Sequence, residues 1–224
     1  MSNIDIDIVD FLDLINFTLS DEFLDKWKYR FSIKFLKEFQ GKPDVSASDF
    51  AQEYKSIKYG NLTYHLAPAV GNHICREKPE EFRKIFIALF DENIELNKRV
   101  RNFSNESLKL YRSIGETKQH HQDERTISVY LSLHFPNKYT FFKDSYYQQF
   151  CKLKGIPTAK KNEKYAHYIE LLNEFIRDYI LTDTDLIQSV KNVIPDFYDG
   201  TNHLLLAQDI LYTILDKEQA EVNY

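Results

Sequence analysis

Glycine and proline are scarce, with six of each in 224 residues. So little turn punctuation disfavours a fold of many short strands and favours long helices. Cysteine is scarcer still. Cys75 and Cys151 stand far apart, in neither a metal nor a redox spacing. No disulfide framework is expected, and a reducing cytoplasm suits the chain. Positive charge is not in excess, since the formal net charge is −5. Phosphate neutralisation supplies most of a nucleic-acid binder's affinity, so this balance argues mildly against one and leaves room only for a local patch. No uninterrupted apolar run approaches the roughly twenty residues of a membrane span. The acidic start, MSNIDIDIVDFLDL, lacks the basic and apolar regions of a signal peptide. The phosphate-cradling GxxxxGK[ST] and GxGxxG patterns are missing, as are the hydrolase GxSxG and the zincin HExxH. No catalytic residue, metal or cofactor is therefore expected.

Aromatic residues are what the chain has in abundance: 17 Phe, 15 Tyr and one Trp. With 43% hydrophobic residues it is globular rather than disordered. Apolar periodicity predicts an all-α fold, an irregular multi-helix bundle. Ile8–Phe17 reads as a short helix. A second follows the cap Ser20 and runs to Gln40, with Phe23, Trp27, Phe31, Phe35 and Phe39 as its buried stripe. Ser48 caps a helix to Ile57, and Lys58–His73 reads as a loop with at most one helical turn. Pro79 opens a helix whose apolar face is Phe82, Ile85, Phe86, Leu89 and Phe90. Helix continues with breaks to Ile114, and Ser104 is a candidate cap for a new segment. Glu124–His134, Lys143–Lys154, Tyr165–Ile180, Asp183–Val193 and Leu204–Leu215 are the later helices. Lys138–Phe142 is the one β-like run. The polar stretch 116–123 is the best internal boundary. It predicts two helical lobes, 1–115 and 124–217.

Three groups of residues invite a chemical reading. In "HHQDER", His120, His121, Asp123 and Glu124 form the best metal-like cluster. Adjacent side chains diverge on a helix, so the plainer reading makes Asp123 a helix cap and places Glu124 against the helix dipole. His65, His73, His134, His167 and His203 stand alone in sequence and read as packed or surface histidines. The third group is a basic and aromatic region. Phe135–Phe150 holds seven aromatics and two lysines, and "KLKGIPTAKKNEK" (Lys152–Lys164) follows as a basic loop. Lys138, Lys143, Lys152, Lys154, Lys160, Lys161 and Lys164 could track phosphates, while Tyr139 and Phe142 stack on unpaired bases. Alternatively the rings face inward and the lysines only solubilise; Phe141, Tyr146 and Phe150 are expected inside on either reading. Lys98, Arg99 and Arg101, and Arg76, Lys78, Arg83 and Lys84, read as ordinary helix decoration.

Asp123-Glu124-Arg125, Pro136, Tyr139 through Lys143, Lys164-Tyr165, His167-Tyr168 and Gln208 through Tyr212 together resemble a segment ahead of the motor in McrB-like proteins. These are the AAA+ GTPase subunits of modification-dependent restriction systems, which defend against foreign DNA. The resemblance runs from Gln119 to Tyr212, roughly half the chain. It implies a recognition or adaptor region that selects modified DNA or links a DNA-reading module to motor and nuclease subunits. The motor's nucleotide motifs are missing, so the resemblance implies an N-terminal piece or a stand-alone relative. The family's best-known recognition domains are mixed α/β, so no pocket residue carries over. A helical protein-interaction module is the rival expectation, and an enzyme with a scattered site is the third.

Overall fold

The computed structural model describes residues 34–60, 62–193, 195 and 198–222. Among them are a helical stretch at 34–38, nine further α-helices, one π-helical turn and no strand, so the fold is all-α. In order these are α1 (Phe50–Ser56), α2 (Ala67–Glu77), α3 (Pro79–Phe90), α4 (Leu96–Ser113), α5 (Glu124–His134), α6 (Asp144–Leu153) and α7 (Lys164–Phe175). The π-helical turn (Ile176–Ile180), α8 (Thr184–Val193) and α9 (His203–Val222) complete the set. No described helix is long and apolar enough to cross a membrane.

The described residues divide into two compact units. The larger is Leu36–Leu171, and the other takes the described residues on either side. The polar segment 116–123, expected to separate two lobes, thus lies inside the larger unit. Gln122 explains why. Its side chain is buried, donating from Nε2 to the Ala67 carbonyl at 2.9 Å and accepting from the Tyr130 hydroxyl at 2.7 Å. Two hydrogen bonds let a polar side chain enter a core that would otherwise reject it.

Phe86 of α3 is the hub of that core. It meets Phe82 and Phe103 at 5.0 Å, Tyr130 at 4.8 Å, Phe50 at 5.6 Å and Tyr54 at 6.0 Å between ring centroids. The pairs are edge-on or tilted, the arrangement that opposing ring quadrupoles favour. The periodic face of α3 does become core, with Phe82, Phe86, Leu89 and Phe90 buried. A second aromatic group forms around Phe142, whose ring meets Tyr147, Tyr165 and Tyr168 at 5.6 to 5.8 Å. In the smaller unit, Leu204 through Gln208 of α9 are buried in succession, followed by Ile210, Leu211, Ile214 and Leu215. α9 packs against the π-helical turn, and the Tyr198 hydroxyl bonds His203 Nδ1 at 2.8 Å.

Several local expectations change. The Ile8–Phe17 helix, the Ser20 cap, and Phe23, Trp27 and Phe31 lie outside the described residues; Phe35 and Phe39 are buried as expected. Asp49, not Ser48, caps α1, accepting from Gln52 N at 2.9 Å. Much of the expected Lys58–His73 loop is helix, because Pro68 sits in the first turn of α2 and Gly71 is accommodated mid-helix. Ser104 caps nothing: it is buried within the unbroken α4. The β-like run at 138–142 forms no strand. Its polar groups bond to helices instead, Phe142 N donating to Ser128 Oγ at 2.9 Å and the Thr140 carbonyl accepting from the Tyr165 hydroxyl at 3.0 Å.

Candidate nucleic-acid interface

The lysines singled out in sequence surround α6, the loop after it and the start of α7. The loop has a defined conformation. α6 ends in a left-handed glycine, Gly155 at φ 66°, with Gly155 N bonding the Lys152 carbonyl and Ile156 N the Cys151 carbonyl. That pair of bonds is the Schellman closure of a helix C-terminus. Further on, Ala159 N donates to the Tyr147 hydroxyl at 2.6 Å. Burial is the main cause that pushes the Tyr147 phenol up to about 12, and Ala159's bond acts against it. At the far end, Glu124 reaches from α5 to the start of α7. It accepts from Asn162 N at 3.0 Å and Tyr165 N at 2.9 Å. A carboxylate here complements the helix N-terminus. Desolvation nevertheless raises its pKa, outweighing the two backbone bonds.

On this frame the candidate residues separate into three groups. Tyr139 and Phe142 are 7% and 4% exposed, so neither ring can stack on a base. Both fill the core beneath the segment. The Tyr139 hydroxyl accepts from Arg99 Nη2 at 2.6 Å, and Phe142 centres the second aromatic group. Four lysines already have neighbours. Lys138 pairs with Glu92 at 2.6 Å and Lys164 with Asp144 at 2.8 Å. Lys143 lies 4.2 Å from the Tyr146 ring centroid and Lys154 5.9 Å from that of Phe150. Lys152, Lys160 and Lys161 are exposed on or beside the loop. Phe141, Tyr146 and Phe150 are buried, as expected.

Several of the resembling residues build this frame. Asp123 caps α5 by accepting from Thr126 N at 3.2 Å, Glu124 caps α7, and Arg125 Nε donates to the Leu62 carbonyl at 3.2 Å. Tyr165 and Tyr168 are buried, and His167 Nδ1 bonds the Tyr147 hydroxyl at 2.8 Å. These side chains hold elements together.

Other titratable residues have structural partners as well. Arg99 is 4% exposed; Nη1 donates to the Leu89 carbonyl at 2.9 Å. Arg83 Nη1 donates to the Val45 and Ala47 carbonyls. Neither arginine is surface decoration. His134 stacks on Phe90 with centroids 3.7 Å apart, and burial lowers its pKa. His73 Nε2 faces Glu116 Oε1 at 3.0 Å, with Arg76 Nη2 at 2.8 Å from its Nδ1. Burial drives the His120 ring down to about 4. Among the described residues no three His, Cys, Asp or Glu side chains are placed to hold a metal ion.

What sequence reasoning missed is a small exposed ring cluster. Tyr64 meets His65 at 4.3 Å and His121 at 4.7 Å between centroids. Tyr64 and His121 are far apart in sequence, and the strap through Gln122 is what brings their segments together. Comparison with family models, curated proteins and solved structures finds no match to this chain.

Proposed function

We propose that this chain is a non-catalytic helical recognition or adaptor domain of the McrB-like kind. It meets DNA through the phosphate backbone and works beside motor and nuclease subunits. The observation that supports the reading is the exposure of Lys152, Lys160 and Lys161 at a loop whose backbone is pinned by Tyr147 and Glu124. A pinned loop loses little conformational freedom on binding, so its charges act at low entropic cost. Tyr139 and Phe142 have no part in the contact. Lys138 and Lys164 contribute less than their charge implies, since each is held by a carboxylate.

Electrophoretic retardation of modified and unmodified duplexes tests the reading. The double variant Lys160→Glu, Lys161→Glu should lose binding to both while melting as the parent does, because both side chains are exposed. Retardation of the variant equal to that of the parent would defeat the proposal.

A further inference from the structure

Three arginines differ in where their donors go. Arg83 and Arg99 turn inward and donate to backbone carbonyls. Arg101 faces outward. Its side chain is 47% exposed, and its Nη2 donates to Glu163 Oε1, reaching from α4 to the α6–α7 loop. An ion pair so open to water contributes little stability and opens readily. The other acids along α4 have partners of their own, Glu95 pairing with Lys98 at 2.8 Å and Glu106 with Lys109 at 2.6 Å.

Glu163 is held in place through its backbone. Its N–H donates to the Lys160 carbonyl at 3.0 Å, and its carbonyl accepts from His167 N at 3.2 Å. Just before it, Asn162 has φ 67°, a left-handed conformation that asparagine tolerates, and Asn162 N donates to Glu124. The same turn carries Lys160 and Lys161, both exposed. Pairing with Glu163 therefore brings the Arg101 guanidinium to the edge of the lysine patch. A guanidinium fork grips carboxylate and phosphate oxygens alike.

We propose that Glu163 is a built-in competitor for DNA phosphate. It occupies Arg101, a fourth phosphate contact beside Lys152, Lys160 and Lys161, and so limits the loop's affinity for duplex DNA. The inference rests on the phosphate-binding reading and supplies its regulation. Exchanging one anion for another at Arg101 releases no further counterion, so in the parent this contact adds nothing to the salt dependence. Without the carboxylate's charge the guanidinium is left to the phosphate, and the fourth contact counts in full.

The test is anisotropy of a fluorescein-labelled duplex titrated with the full chain at several salt concentrations. Glu163→Gln should steepen the slope of log affinity against log salt by roughly 0.9, a gain of roughly eightfold over the parent as salt falls tenfold. Adding Arg101→Gln should return slope and affinity to the parent's. Urea midpoints of both variants should match the parent's, since the pair is partly exposed. A slope unchanged by Glu163→Gln overturns the competitor. So does a gain that survives Arg101→Gln, which is the mere loss of one negative charge. Weaker binding with a lowered midpoint, the mark of a structural tether, overturns it as well. In each case, parent binding that still depends on salt and on Lys160 and Lys161 leaves the phosphate contact standing. A parent that binds without salt dependence, or does not bind, ends both ideas.

Discussion

Gly71→Ala offers a sharp test of how the larger core is packed, because local and tertiary effects have opposite signs. Gly71 lies within α2, where alanine is favoured over glycine by about 1 kcal/mol. A methyl group there would lie 2.8 Å from Tyr54 Cε1 and still closer to Cζ and the hydroxyl. Tyr54 cannot easily withdraw. It is fully buried, its ring faces Tyr59, Phe82, Phe86 and Tyr130, and its hydroxyl shares a 2.6 Å bond with that of Tyr130. Overpacking of this kind costs about 1–3 kcal/mol. Breaking the phenol pair adds about 1 kcal/mol. Subtracting the helix-propensity gain leaves a net loss of about 1–3 kcal/mol. Urea unfolding should show a lower midpoint with an unchanged slope. In a Tyr54→Ala background, already destabilised by its cavity, the same Gly71 change should be neutral or favourable. A Gly71→Ala chain more stable than the parent would refute the close approach of α2 to Tyr54.

Phe86→Ala should lower stability by about 3–5 kcal/mol, measured by the same urea method, because it removes the ring on which six others converge. Glu124→Ala should cost about 1–3 kcal/mol by leaving Asn162 N and Tyr165 N without an acceptor, and amide exchange should rise at both. His120 binds its proton less tightly folded than unfolded, about 4 against 6.5. Its contribution is therefore fully present above 6.5 and lost as pH falls towards 4. Urea midpoints of His120→Gln should decline less steeply than those of the parent over that window; identical slopes would remove His120 as a cause of acid sensitivity.

The parts of the fold legible in sequence are those that periodicity alone decides. The Phe82-Phe86-Leu89-Phe90 face repeats at helical spacing, and α3 follows from it. Asp123 precedes a helix and caps it. The failures lie where one residue's environment depends on distant segments. Aromatics crowd positions 135–150 too densely for spacing to tell an inward ring from an outward one. Tyr139 is interior because Arg99, far off in sequence, donates to its hydroxyl. Arg99 and Arg83 looked like surface charge, since nothing local marks a guanidinium that will spend its donors on backbone carbonyls. The polar segment 116–123 looked like a linker because a single buried glutamine is invisible among solvated neighbours. The Tyr64–His121 contact needed α2 to begin at Ala67, where a loop was expected.

The proposed phosphate contact is tested most directly by salt. Three lysines, Lys152, Lys160 and Lys161, stand exposed at the α6–α7 loop. If each neutralises one phosphate, log affinity for duplex DNA should fall against log salt with a slope of roughly −3. Between low and moderate salt, over a fourfold range, affinity should drop roughly fortyfold. The measurement is anisotropy of a labelled duplex titrated with the full chain at several salt concentrations. A slope of roughly −3 that flattens towards −1 in Lys160→Gln, Lys161→Gln is the predicted result. A slope near zero, or one that ignores those two lysines, would contradict DNA binding at this loop.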